Sequence, residues 1–288
     1  MEELVVKKDF TDIYTQKFPD DYLKEMKKLQ YRIPDKTKPL YLSLAQQLIQ
    51  KLSRPINILD IGSSYGINSA LLKYGLKMSD LDDFFLQEDN TTLEQTKQFF
   101  ERIPSKDELN FYQIDISEPA LKFSEHTKLC KKGICVNLET GNLPIKEIPS
   151  FDMVIATGCI GYIGYKAFSN LFEFIKKQQA KFPESEIDEP IFAFSVLRIF
   201  DMEKIQKTFD YYGYSLVKTD LNPIPQRQFS DSEEQNQTIF LLKDKGIETK
   251  EFEDDGHFYA DFYVASPKRI KNQLLSMSKN MERNSTLT

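Results

Sequence analysis

Histidine and cysteine are scarce in this chain of 288 residues: it carries two histidines and three cysteines, Cys130, Cys135 and Cys159. An odd, small number of thiols excludes a disulfide framework and points to a reducing compartment. Long hydrophobic runs are also missing. The two most apolar stretches, Phe151 to Ile163 and Pro190 to Phe200, are punctuated by glycine or polar residues and fall well short of the roughly 20 residues a membrane span needs. The N-terminus, MEELVVKKDFTDIY, lacks the apolar core and small-residue cleavage site of a secretory signal. Positive charge is in deficit, with 38 Lys and Arg against 44 Asp and Glu, which disfavours a general nucleic-acid-binding surface while leaving a local basic patch open. What is present, 40% hydrophobic and 28% charged residues, is the mix of a folded soluble protein, expected to be cytoplasmic.

Residues 1 to 54 read as an N-terminal helical cap. Tyr22, Met26 and Leu29 recur at helical spacing, Ile33-Pro34 reads as a break, and Leu40 to Leu52 reads as a second helix. From Pro55 the pattern becomes β-α alternation. Strands are expected at Ile56 to Ile61, Asn110 to Asp115, Gly133 to Leu138, Phe151 to Thr157, Ile191 to Leu197, Tyr214 to Lys218 and His257 to Ala265. Helices are expected at Ile67 to Tyr74, from Ser117 toward Leu129, at Tyr165 to Lys181, at Met202 to Tyr212 and at Asp231 to Lys245. The polar stretch 75 to 108, with helix-start signals at Ser79/Asp82 and Thr91/Glu94, reads as a helical insertion. Residues 267 to 288 read as a basic amphipathic tail carrying Lys268, Arg269, Lys271, Lys279 and Arg283. Seven strands alternating with helices predict a doubly wound, mostly parallel α/β sheet over residues 55 to 266.

Within it the segment NILDIGSSYGIN carries most of the chemistry. Gly62 and Gly66 stand where a strand must turn sharply into a helix, leaving backbone N–H groups open to a polar ligand. The spacing departs from the dinucleotide G-x-G-x-x-G pattern. It resembles instead motif I of the class I S-adenosylmethionine-dependent methyltransferases: Asp60, Gly62 and Gly66 match, and Ser64 stands where that family has its middle glycine. The resemblance, which spans roughly residues 55 to 266, implies a Rossmann-like methyltransferase fold with a reversed final strand. The YRIPDKTKP segment before the core is similar to that of bacterial-type, uncharacterised members of about this length.

The resemblance implies S-adenosyl-L-methionine as cofactor. Gly62, Ser63, Ser64, Gly66 and Asn68 would surround its methionine portion, with Asp60 toward the ammonium, and a second acid would accept hydrogen bonds from the ribose. Counting from motif I selects Asp80, but Asp80 follows no strand; Asp115, 55 residues after Asp60, closes one and is chosen, with Ile116 beside it. Asn137 and Leu138, with Glu139 second, fall where the adenine would lie. Thr157, Gly158, Cys159 and Tyr162 in ATGCIGYIG match the region beside the transferable methyl. That stretch lacks the Asn/Asp-Pro-Pro-aromatic signature of base N-methyltransferases and the carboxylates of metal-dependent catechol enzymes. Since few bases are on offer, His257 and Tyr162 are the candidate catalytic groups, and Tyr31, Arg32, Cys159 and Tyr259 the candidate substrate contacts. Tyr22, Tyr31, Arg32 and Lys38 form a candidate lid. His126, Cys130 and Cys135 fall short of a zinc pattern, so no metal is expected. The expected activity is methyl transfer to an O or N nucleophile of a small molecule or peptide. A methyltransferase-like binding or scaffold protein without turnover is the alternative.

Overall fold

The computed structural model describes residues 11–87, 92–141, 143–144, 149–181 and 189–270. Three helices precede the sheet: α1 (Thr11–Tyr14), α2 (Asp20–Lys28) and the 20-residue α3 (Ile33–Leu52). The core then runs β1 (Ile56–Ile61), α4 (Ile67–Tyr74), α5 (Met78–Phe85), α6 (Leu93–Glu101), β2 (Leu109–Asp115), α7 (Glu118–His126), β3 (Lys132–Cys135), β4 (Met153–Ala156) and α8 (Tyr165–Lys181). The C-terminal part adds β5 (Ile191–Leu197), α9 (Glu203–Tyr211), β6 (Tyr214–Lys218), β7 (Ile224–Gln228), α10 (Ser232–Asp244) and β8 (His257–Pro267).

The strands form one sheet in the order β3-β2-β1-β4-β5-β8-β6, with β7 also paired to β8. β3, β2, β1, β4 and β5 are mutually parallel. β8 is reversed against β5, as the resemblance implied. The sheet has eight strands where seven are expected from the sequence, because β7 carries no strand signal. It lies end to end with β6 along the outer edge of β8, and its register slips between Pro225 and Arg227. Proline is tolerated at such an edge or bulge.

Alternate residues of each strand feed opposite cores. Ile56 and Ile58 of β1, Met153 and Ile155 of β4 and Ala193 of β5 pack with Leu40, Tyr41, Leu44 and Leu48 of α3 and with Leu242 of α10. Leu59 and Ile61, Val154 and Ala156, and Phe192 and Phe194 pack on the other face against Phe168, Leu171 and Phe172 of α8 and Phe209 of α9. The sheet is thus covered on both faces, and its central strands β4 and β5 read as near-continuous apolar runs. A third cluster joins α2, α4, α5 and α7 through Tyr22, Met26, Tyr65, Leu71, Phe85 and Phe123, which seats the 75 to 108 helices beside the N-terminal ones.

Local signals explain the element ends. Ser117 caps α7 by accepting from the Ala120 N–H. Asp231 caps α10 by accepting from the Glu234 N–H. The reading of Ile33-Pro34 as a break is corrected: Pro34 lies in the first turn of α3, where a missing N–H is harmless, and the helix continues through Pro39. The strand expected to reach Leu138 stops at Cys135. α5 starts with the Asp80 carboxylate accepting from the Lys77 N–H rather than with a Ser79 cap. α6 starts with a Thr92/Gln95 capping box, whereas Thr91 lies outside the described residues. Of the expected basic tail, residues from Lys271 onward also lie outside the described ones. Among the described residues no helix is long and apolar enough to cross a membrane.

Candidate functional site

β1 runs between β2 and β4, so the chain order reverses beside it, and a crevice opens past the carboxyl ends of these strands. There the turn out of β1 takes a left-handed backbone at Gly62 (φ 62°), Ser64 (φ 49°) and Gly66 (φ 78°). Glycine adopts such angles freely, while a side chain at Ser64 sits there at a cost. Gly62 is needed for room as well: a Cβ there would come within 2.6 Å of Cys159 Cβ. Gly66 faces inward, where a Cβ would meet Ser124 Oγ at 2.5 Å and Gln113 Nε2 at 2.9 Å.

Asp115, at the end of β2, laces this turn to the next strand. Its Oδ2 accepts from the Ser64 N–H at 2.8 Å and its Oδ1 from the Ser117 N–H at 2.9 Å. Burial raises its pKa above the ordinary carboxylate value, although those backbone N–H groups pull the other way. Asp80, the acid that counting would select, is spent on the start of α5. Asp60 stands behind the turn with no exposed surface. Its Oδ1 accepts from Asn68 Nδ2 at 2.9 Å, Asn68 Nδ2 also donates to Thr157 Oγ1 at 3.2 Å, and Thr157 shares a 2.8 Å hydrogen bond with the Tyr41 hydroxyl. Asp60 Oδ2 and the hydroxyls of Ser63 and Ser64 are buried without a hydrogen-bond partner. Burial pushes the Asp60 carboxyl up to about 7, even though the Asn68 hydrogen bond lowers it.

The crevice is a cavity of about 720 Å³. From the sequence-derived candidates it brings together Gly62, Ser63, Ser64, Asn68, Asp115, Ile116, Asn137, Leu138, Thr157, Gly158, Cys159, Tyr162 and Tyr31. Ile116 and Tyr162 are mostly exposed, at 73% and 58%, so apolar surface faces the open side. The Asn137 side chain accepts from the Glu139 N–H at 2.9 Å, and Glu139 Oε1 from the Gly164 N–H at 2.8 Å. Tyr31 lies over the end of β4, where a Cβ on Gly158 would come within 2.5 Å of its hydroxyl.

Other candidates stand elsewhere. His257 does not line the cavity; its Nδ1 is 3.0 Å from Asp255 Oδ1, and the Tyr259 hydroxyl donates to the same carboxylate at 2.7 Å. The acids that made His257 attractive as a base hold it at the tip of β8 instead. Arg32 is exposed at the start of α3, with its N–H bound to Gln226 O. Lys38 caps the end of α4 by donating to Gly75 O and Leu76 O at 2.6 and 2.7 Å. Asp60 and Gly66 back the wall without lining it.

The N-terminal segment supplies lining residues that the sequence did not reveal, above all Tyr14, Thr15 and Pro34. It is tied down by the Tyr65 hydroxyl, which donates toward Ile13 O and Gln16 O at 3.1 and 2.9 Å, and by Ser117 Oγ, which donates to Tyr14 O. Of these contacts only the Ser117 cap carried a sequence signal. Among the described residues no group of three or more His, Cys, Asp or Glu could hold a metal ion; Cys130 is buried and Cys135 exposed.

No family model matches the chain, and no curated protein matches it. Among solved structures it is similar to a TehB-like SAM-dependent methyltransferase from Corynebacterium glutamicum, at 10% identity over 78% of this chain and 87% of that one, with a TM-score of 0.39. It is also similar to magnesium protoporphyrin IX methyltransferase from Synechocystis with bound SAM, at 9% identity over 92% and 88% of the two chains and a TM-score of 0.37. A third is the N-methyltransferase NodS from Bradyrhizobium japonicum, at 10% identity over 80% and 98% and a TM-score of 0.38.

Proposed function

We propose that the chain binds S-adenosylmethionine in the 720 Å³ cavity and transfers its methyl group to a nucleophile of a small molecule or peptide. The observation that carries this reading is the junction of Asp115 with the Gly62–Ser64 turn at the reversal point of the sheet. The residues present fit the cofactor. Ser63 Oγ, Ser64 Oγ and Asp60 Oδ2 are buried polar atoms that lack partners, and Gly62 keeps a side chain out of the turn. A volume of this size is in the range of nucleotide-sized ligand pockets.

When bound, the cofactor supplies an electrophilic methyl on a sulfonium. Asp115 would hold the ribose, because each carboxylate oxygen keeps a lone pair beyond the one its backbone donor uses. Ile116 offers a flat apolar surface to the adenine, with Asn137 and Leu138 at its edge. Asp60, through its free oxygen, would balance the ammonium of the amino-acid portion. Thr157, Gly158 and Cys159 follow β4 at the reacting side, where Tyr31 and Tyr162 would orient the acceptor. Alignment is the main task for an in-line displacement.

A thermal-shift titration tests this reading. S-adenosylmethionine and S-adenosylhomocysteine should each give a saturable rise, worth about 2.7 kcal/mol at a hundred times the dissociation constant, and NAD none. Asp115→Ala should weaken both ligands by on the order of 1 to 3 kcal/mol for each hydrogen bond lost. Absence of any shift at millimolar ligand would refute the reading. Saturable binding without methyl transfer to any acceptor would favour the scaffold alternative.

A further inference from the structure

The acceptor end of the cavity has an unusual balance of groups. Tyr14, Tyr22, Tyr31 and Tyr162 line the cavity, whose formal charges, the carboxylates of Asp115 and Glu139, fall at the ribose and adenine end in the reading above; among the described lining residues there is no Lys, Arg or His. Tyr14, Tyr31, Tyr162 and Cys159 are close enough to register one another electrostatically. Arg227, whose charge Tyr14 also registers, is already bound by both carboxylate oxygens of Glu234.

An anionic acceptor would find no counter-charge among the described lining residues, so carboxylates, phosphates and phenolates are disfavoured. A hydroxyl acceptor needs its proton removed as it attacks, and by the reading above the two carboxylates on the wall lie at the ribose and adenine end rather than beside the methyl. Burial raises Tyr14, Tyr22 and Tyr31 away from the phenolate, and Cys159 Sγ donates to Ile61 O at 3.2 Å. A neutral amine needs no base before attack. Tyrosine ring faces favour the cation it becomes, and they do so most where water is excluded.

Resting on the methyltransferase reading above, we propose that the acceptor is a nitrogen nucleophile, a small amine whose methylated product is a cation held against the tyrosine faces. The nitrogen lone pair forms the new N–CH3 bond as the S–CH3 bond breaks, and that bond's electron pair stays on sulfur as a neutral thioether. The positive charge passes to nitrogen, and any N–H proton then leaves to bulk water.

The test uses the full chain saturated with S-adenosylhomocysteine, which leaves the acceptor end as the free part of the cavity. Calorimetric titration compares benzyltrimethylammonium, its neutral carbon isostere neopentylbenzene, and benzenesulfonate. The cation should bind at least tenfold more tightly than the isostere, and the sulfonate should not bind. Tyr162→Phe should keep that preference and Tyr162→Ala should lose it; because this side chain is exposed, neither change threatens folding. Equal binding of cation and isostere, tighter binding of the sulfonate, or no binding of the cation to the saturated protein would each overturn the amine assignment while leaving the methyltransferase reading intact. Failure of S-adenosylhomocysteine itself to bind would overturn both.

Discussion

Asp60 combines total burial with one bound and one unbound carboxylate oxygen, so its charge is expensive in the ligand-free protein. Its pKa rises from an ordinary 3.8 to about 7, which means the folded state holds a proton that the unfolded state releases. Stability is therefore undiminished by this group below about pH 4 and falls as pH rises toward 7, by on the order of 4 kcal/mol at most. Glu253, which burial also raises to about 7 despite Arg198, adds to the slope in the same window. Asp60→Asn should accordingly flatten, without abolishing, the loss of stability between pH 5 and pH 8 in urea unfolding of the free protein, and should weaken S-adenosylmethionine. An unchanged pH difference would show that Asp60 carries no such penalty. Ser64 pays a different cost, a left-handed backbone at the position where the resembling family has glycine. Its N–H is the one Asp115 accepts, so the turn keeps its hydrogen bond while departing from the family pattern.

At the scale of elements, β7 and α10 form an added flap on the outer edge of β8, pinned by a buried ion pair. Arg227 donates to Glu234 Oε2 and Oε1 at 2.9 and 2.7 Å, and its guanidinium lies 4.6 Å from the Phe258 ring. Burial would raise Glu234, but the Arg227 hydrogen bonds and the Ser230 N–H outweigh it and hold the carboxyl below its ordinary value. Arg227→Met should cost about 3 to 5 kcal/mol by stranding a buried carboxylate, whereas Arg227→Met with Glu234→Leu should recover most of it. Chemical denaturation of the two variants decides the matter: an equally unstable double variant would mean that packing rather than charge holds the flap. α10 matches the helix expected at Asp231 to Lys245, but β7 is where the sequence is least readable. The strand has one apolar residue, Ile224, between two prolines and pairs on one side only, so neither alternation nor a buried run marks it. β5, buried along its whole length, is marked by an apolar run interrupted only by Ser195, and its bounds match the expectation. The site divides in the same way. Gly62, Asp115 and Thr157 are legible because turns and caps at strand ends are local signals. Tyr14 and Pro34 are not, because only tertiary packing carries the N-terminal helices over the cavity. His257 misled because acids beside it in sequence do not tell whether the imidazole reaches the cavity; Asp255 holds it at the tip of β8, away from the lining.

Across the whole molecule the cavity has a rigid floor and a separately fastened roof. The floor is the end of a sheet packed on both faces by two apolar cores. The roof, residues 13 to 16, is joined to it by the Tyr65 hydroxyl and by Ser117, the residue that also caps α7 and donates its N–H to Asp115. These hydrogen bonds add to the packing of Ile13 and Tyr14 on the third cluster, and a segment fastened outside the sheet is expected to open at lower free energy than the sheet beneath it. Tyr65→Phe isolates the fastening, because it keeps the ring against Tyr22 and Phe123, at 5.9 and 5.7 Å between centroids, and removes only the donor. The variant should lose about 1 to 2 kcal/mol of stability. Hydrogen exchange should speed up over residues 13 to 16 while β1 and β4 stay protected, and S-adenosylhomocysteine should dissociate several-fold faster. Faster exchange without faster dissociation would mean that the ligand leaves past Ile116 and Tyr162 with the roof in place; unchanged exchange would mean that ring packing in the third cluster, rather than the hydroxyl, fastens the N-terminal segment.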